Sequence, residues 1–343
     1  KDFIVSKLTS NIDTTDFSDA SHAQLMEIRS GKYTVEILKC LEIDMAKMPS
    51  IHKGTDIAGR LTDKNAKLLG LPSGIPVIVG GGDGACASLG AGIANPGDTY
   101  LSLGTTAWIA NVAPEPIIDP DGRIFNILGI DGATSGVFGT MQCAGRSIDW
   151  VQELLGCSDP AAIDGLAESV SPGSDGLVFL PYLEGERSPH FDPNARGVLF
   201  GLTPSHLSPH IARSVMEGVS FGLRSILDVF TSTSDIDRLR ILGGGARSDT
   251  WRRIIADVLE VGLVRLRSDS INVTSIGTAL AVAVGIGSIG SLGEAAALIE
   301  EGVEERPDSS TAEAYRRNYA IFSALYPNLK LTYASLVGDA GNE

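Results

Sequence analysis

Apolar and polar positions along the chain alternate between two periods. Short apolar or β-branched runs at residues 76–79, 107–112, 125–130, 177–183, 239–242 and 264–266, at Ser135–Met141, and ending at Leu103, read as strands. Helical spacing marks residues 1–8, 33–41, 147–155 (opened by Gly145), 208–230, 250–258, 274–284, 294–301 and 312–326. Residues 57–69 read as a strand edge followed by a helix after Thr62. The strongest helix begins at Ser208 as N-cap with Pro209 behind it, and Ile211, Val215, Val219 and Leu223 share one face. Residues 14–21 form a polar loop rich in capping residues, Asp119-Pro120-Asp121-Gly122 punctuates a hairpin, and residues 184–197 form a charged turn-rich loop. Strands mixed with helices and no solenoid repeat predict an α/β or mixed α+β chain in two lobes.

The pattern centres on residues 77–110. A strand stops at Gly80-Gly81-Gly82 and presents one carboxylate, Asp83, before a run of small residues. A Pro-Gly-Asp turn follows, then a second strand that ends in Leu103-Gly104-Thr105-Thr106. Open α/β sheets build their sites at strand carboxyl ends. A Gly-Thr-Thr turn there offers backbone N–H groups and hydroxyls to an anion. An acid and an anion-binding turn so close in sequence point to phosphoryl transfer, with Asp83 taking the proton of an attacking hydroxyl. Taken alone, Asp83 reads equally well as a turn acid capping the helix that follows.

Composition narrows the field. The chain has 343 residues, 43% hydrophobic and 20% charged, which is enough for two packed domains. A net charge of −15 argues against nucleic acid or an anionic membrane as the main partner, but not against a phosphate ligand held by backbone N–H groups. Cys40, Cys86, Cys143 and Cys157 form no CxxC pair and read as free buried thiols of a cytoplasmic protein. His206 and His210, four apart, are too few for a metal claim. Residues 270–293 are uncharged but rich in Gly, Ser and Thr, and read as a buried helix with a loop rather than a membrane span.

Three motifs carry competing readings. Gly285-Ile286-Gly287-Ser288-Ile289-Gly290, with Glu305 further on, fits a dinucleotide fingerprint and raises an NAD-dependent oxidoreductase, although no second parallel strand is visible after it. Gly243-Gly244-Gly245-Ala246 after a strand is either a flexible loop or a place where a flat ligand or a backbone approaches closely. Arg187, Asp192 and Arg196 read as a salt-bridged loop. No GxxxxGK[ST] is present, which excludes a P-loop nucleotidase.

The order of these stretches resembles the FGGY family of carbohydrate kinases, and within it the xylulokinases. GGGDGACASLGAG resembles the family's catalytic-aspartate segment, and DTYLSLGTTAW its second phosphate loop. LEGERSPHFDPNARGVLFGLTPSH, continued by His210-Ile211, Ser214 and Glu217, is similar to its C-terminal signature. LGGGARSDTWRRIIADVL resembles its adenosine motif, and KDFIVSKLT with TTDFSDAS the later part of its first domain. The likeness spans nearly the whole chain.

The resemblance implies an actin-like (ribonuclease-H-like) ATPase fold of two domains. It divides the chain into residues 1–88, the remainder of a sugar-side N-terminal domain, and residues 89–343, a nucleotide-binding domain whose last helix is a candidate to pack back on the first. It implies ATP and Mg²⁺ as cofactors, a sugar as substrate, most simply D-xylulose, and a homodimer as the assembly. Asp83 would be the base and Gly84 would border the sugar. Gly104, Thr105, Thr106, Gly145, Asp149, Gly244, Gly245, Ala246 and Asp249 would contact nucleotide. Departures from the pattern are Gly84, where xylulokinases carry Asn and gluconate kinases tend to carry Gly, Asp249, where Asn or Pro is commoner, and Asn272-Val273-Thr274. The family's N-terminal phosphate loop, with its Mg²⁺-holding Asp, does not occur in the sequence, so metal ligands stay unassigned and little kinase activity is expected of this chain by itself. A gluconate, ketose or polyol kinase, or a non-catalytic nucleotide- or sugar-binding module, are the alternatives.

Overall fold

The computed structural model describes residues 1–231, 236–267 and 272–337. Its centre is a seven-stranded sheet: β1 (Thr99–Leu103), β2 (Ala107–Ala113), β3 (Phe125–Leu128), β4 (Ser135–Met141), β5 (Arg238–Leu242), β6 (Gly262–Leu266) and β7 (Glu301–Glu305). Across the sheet the order is β7-β6-β5-β1-β2-β4-β3. The middle strands β1, β5 and β6 run parallel, and β2, β4, β3 and β7 join antiparallel. The Asp119–Gly122 turn therefore does not close a hairpin, because β4 lies between β2 and β3; Arg123 instead folds back onto Asp119 at 2.6 Å.

Alternation along β1 sets the two faces. Leu101 and Leu103 join Ile109, Val137, Ile241 and Leu263 on one face. That face is covered by α4 (Ser208–Thr231) and α5 (Asp249–Leu259), with α2 (Gly145–Leu155) and α3 (Pro160–Glu168) beside them. Tyr100, Ala110, Val112 and Leu242 point to the opposite face, against α1 (Asp83–Gly90) and α6 (Val273–Gly285). The helices α1 and α6 cross almost backbone to backbone. A Cβ on Gly90 would lie 1.8 Å from the Val273 carbonyl oxygen, and one on Gly277 would lie 1.8 Å from that of Cys86. No side chain fits at either position, so the small-residue run after Asp83 is a packing requirement.

Several expectations change. The loop at residues 14–21 contains a short strand, Thr15–Asp16, and a helix, Phe17–His22, because Asp16 caps that helix by accepting from Ser18 and Asp19 N–H groups. The strand before Asp83 is short, Pro76–Ile78, and only partly buried. Residues 294–301 are not one helix: Leu292–Ala296 is helical, and β7 takes the glutamates that follow, with Glu301 facing Arg238 and Arg240. α6 buries only Val273, Gly277 and Ala281, so it is a surface helix with one buried stripe; of the uncharged run, residues 270–271 lie outside the described residues. The last helix, α7 (Ala312–Val337), continues through Pro327, and its principal contacts are with α4, α5 and the Val178–Leu180 strand. All four cysteines are free, but Cys40 is exposed and Cys157 half-exposed. No helix among the described residues is long and apolar enough to cross a membrane.

Candidate functional site

Three chain segments meet where β1 and β5 end. The turn after β1 is built by backbone alone. Gly104 N–H donates to the Thr106 carbonyl at 3.0 Å. Three consecutive N–H groups at the start of α2 then grip the turn from behind: Gly145 donates to Gly104 O at 2.9 Å, and Ala144 and Arg146 donate to Thr105 O at 3.0 and 3.1 Å. The carbonyls, which would repel a phosphate, are thus turned into protein, and the exposed Thr105 is left on the open side. Gly145 is forced by this grip, since a Cβ there would sit 2.6 Å from Gly104 O.

The third segment follows β5. Gly243 has φ of 99°, and a Cβ would meet Leu103 O at 2.5 Å, so this loop is a tight turn laid on β1 and not a flexible linker. Gly244 points into open space. Between the segments lies an open cleft of about 620 Å³, lined in part by Gly104, Thr105, Gly145, Asp149, Gly244 and Gly245. The structure therefore gathers six of the nine residues expected to meet nucleotide. Thr106, Ala246 and Asp249 are not in the lining: Ala246 is buried, with its carbonyl accepting from Arg252, and Asp249 faces solvent and pairs with Arg252 at 2.6 Å.

The cleft also contains residues that sequence patterning passed over. Ile148, Pro160, Ala161, Met216 and Trp251 supply an apolar wall, and Asp164, Arg247 and Ser248 a polar one. Asp164 accepts from Ser248 Oγ at 2.8 Å, while that oxygen caps α5 by accepting from Trp251 N–H. Burial, more than any neighbouring charge, raises the Asp164 carboxyl. The signal for Ser248 was its place before Asp249 as an N-cap; nothing local marked Asp164.

Asp83 and Gly84 lie outside this lining. Asp83 is exposed at the first position of α1, and among the described residues its Oδ1 accepts only from the Gly84 N–H, at 2.8 Å. The residue before α1 is anchored, with Gly82 N–H donating to Ser18 Oγ at 2.8 Å. One turn along α1, Ser88 Oγ bonds Gly84 O at 2.9 Å and Tyr100 OH at 3.2 Å, and Trp108 Nε1 donates to the same hydroxyl at 2.9 Å. Burial, more than any neighbouring group, raises the Tyr100 hydroxyl. A Cβ on Gly84 would touch nothing within 4 Å.

The other candidates resolve differently. Gly285 ends a helix, so the GxGxxG at residues 285–290 has no strand before it and no dinucleotide crossover. His206 and His210 cap turns through Thr203 and Leu207 N–H groups, and among the described residues no cluster of three or more His, Cys, Asp or Glu could hold a metal. The 184–197 loop is not held by ion pairs between Arg187, Asp192 and Arg196. Glu186 and Asp192 exchange two backbone bonds at 2.9 Å each, Arg196 binds the Pro193 and Ala195 carbonyls, and Tyr326 OH donates to Asp192 at 3.0 Å.

The chain is similar to known proteins in sequence and in fold. Residues 99–286 match the C-terminal domain of the FGGY family of carbohydrate kinases, and residues 1–90 its N-terminal domain. The xylulose kinase of Lactococcus lactis is 32% identical over 336 residues, covering 96% of this chain and 66% of that protein. Solved structures of a ligand-bound xylulose kinase and a gluconate kinase, both from Lactobacillus acidophilus, superpose with TM-scores of 0.92 and 0.93; each is 25% identical, with 98% of this chain and 68% of theirs covered. The fold is thus the actin-like one shared by these kinases. The chain spans about half to two thirds of the length of the curated relatives it matches, 53% and 66% for two of them.

Proposed function

The chain belongs to the FGGY family of carbohydrate kinases, and from that premise we propose that it serves ATP-dependent phosphorylation of a sugar hydroxyl, with D-xylulose as the substrate and D-xylulose 5-phosphate as the product. The observation that carries the reading is the β1 turn. Its carbonyls are taken up by residues 144–146, and it opens on a cleft shared with Gly244, Gly245 and an apolar wall suited to a nucleobase.

In this reading the triphosphate lies along Gly104, Thr105 and Gly145, and the base lies toward Gly244 and Trp251. Asp83 is the general base. Its carboxylate has no cation paired to it among the described residues, is exposed at a helix start, and stands next to Gly84, where a Cβ would meet nothing within 4 Å. It accepts the hydroxyl proton as the sugar oxygen attacks the γ-phosphorus and ADP leaves. The described residues form no metal cage of their own, which suits Mg²⁺ arriving on the nucleotide, since this ion is commonly held by one or two carboxylates plus substrate phosphates. When bound, it neutralises charge on the transferring phosphoryl group. We assign residues 1–88 to the sugar side and residues 89–343 to the nucleotide side, with domain closure limiting loss of ATP to water.

Gluconate is the second reading. The open space at Gly84 favours it, because it leaves room for a bulkier or differently oriented polyol than a side chain at that position would allow. A coupled ADP assay on the full-length protein with xylulose, ribulose, gluconate and glycerol separates the two: xylulose should give the highest kcat/KM. Preference for gluconate would move the assignment, and no sugar-dependent ADP release would remove the kinase reading.

A further inference from the structure

The cleft is not held by its own residues alone. Glu186 lies in the turn-rich loop, away from the cleft lining, and is 5% exposed. Its Oε1 accepts two backbone N–H groups at 2.7 Å each, from Arg187 and from Gln142 at the end of β4. The adjoining Ser188 makes two more bonds to the same strand: its N–H donates to Thr140 O at 2.8 Å, and its Oγ accepts from Thr140 N–H at 3.1 Å. Two residues past Gln142 begin the three N–H groups that grip Gly104 and Thr105.

We propose that Glu186 is a positioning residue for the phosphate-binding turn: by fixing the Gln142 amide it sets where residues 144–146 stand, and they set the carbonyls of Gly104 and Thr105. The proposal rests on the nucleotide reading of that turn. Each link is a direct hydrogen bond or a peptide connection of two residues, so the path needs no long-range coupling. A carboxyl this deeply buried is costly to keep unless its acceptor is used. Burial pushes Glu186 up to about 8 against the opposing pull of the Gln142 and Arg187 N–H groups, so what the loop uses is the acceptor oxygen more than the charge. Glu184, its neighbour, reaches Arg146 Nε at 3.1 Å, but both side chains are about half exposed, and that pair is a minor support.

The test is backbone amide exchange with MgATP titration on the wild type, E186Q and E186A. Glutamine keeps the acceptor. E186A is expected to speed exchange at Gln142, Ala144, Gly145 and Arg146 by about tenfold or more and to weaken MgATP by about tenfold, with E186Q restoring both to near wild type. If E186A does not fold, S188A, which removes the acceptor of the Thr140 N–H, is expected to speed exchange at the same amides by a smaller factor. Exchange changes confined to residues 184–192 with MgATP affinity intact would overturn the proposal, as would E186Q behaving like E186A. A wild type that binds no MgATP while amides 144–146 still respond to E186A would remove the nucleotide reading and leave the positioning role standing.

Discussion

The two sides of the site are made in opposite ways. The proposed nucleotide side is backbone: strand ends, a turn gripped by three N–H groups, and glycines pressed against Leu103 and Gly104. The proposed sugar side is one exposed carboxylate, Asp83, on a helix start, with open space beside the neighbouring Gly84. The first side is set by packing and tolerates little change of shape. The second is set by chemistry, and in the proposed reading its selectivity depends on what fills the space beside Gly84.

Substitutions that strike one side and spare the other sharpen that contrast. The largest effect is expected at the base. D83A should lower sugar-dependent ADP formation by about 10²–10⁴-fold while MgATP affinity stays within about twofold of wild type. Turnover near wild type would show that another group takes the proton. Next comes the helix that carries the base. G277V places a side chain where even a Cβ lies 1.8 Å from Cys86 O, so it should cost about 3 kcal/mol or more, read as a lower denaturation midpoint. An unchanged midpoint would mean that α1 and α6 separate without penalty.

A smaller effect concerns Glu186. Its carboxyl is raised when folded, so the folded chain holds a proton that the unfolded chain has released between the ordinary value of 4.5 and about 8. The stability this group contributes is present below 4.5 and is lost as pH rises through 8. Glutamine does not titrate, so the Tm of E186Q minus that of the wild type should grow from pH 5 to pH 9. A difference independent of pH would contradict the buried, protonated acid. The smallest structural effect belongs to G84N, which should change stability by no more than about 0.5 kcal/mol, because a Cβ there meets nothing within 4 Å, yet should alter the ratio of kcat/KM between xylulose and gluconate. An unaltered ratio would remove position 84 from sugar selection.

How much of this was legible in the sequence follows the same division. β4 and α4 could be read closely from period and capping, since each has a full apolar stripe and clear ends. The Gly104-Thr105 turn and the Gly244-Gly245 loop stood out because glycines after a strand mark backbone approach, and the structure brings them to one cleft. Asp164 and Trp251 did not stand out, because an acid and an aromatic on amphipathic helices look like any solvated face and core residue until tertiary packing aims them. Glu186 was hidden in a charged loop, where charge reads as solvent exposure; only the fold shows that it is buried against Gln142. The 294–301 segment misled because its apolar spacing fits a helix, while pairing of its tail with β6 and with Arg238 and Arg240 makes a strand.

In the proposed function the turn gripped by residues 144–146 binds nucleotide. Calorimetric titration of MgATP into the wild type, D83A and G145A tests it most directly. Wild type and D83A should show saturable one-to-one binding with similar affinity, and binding should be weaker by about tenfold in G145A, whose Cβ would displace Gly104 O from 2.6 Å. Equal affinity in G145A and wild type, or no saturable binding by the wild type, would contradict it.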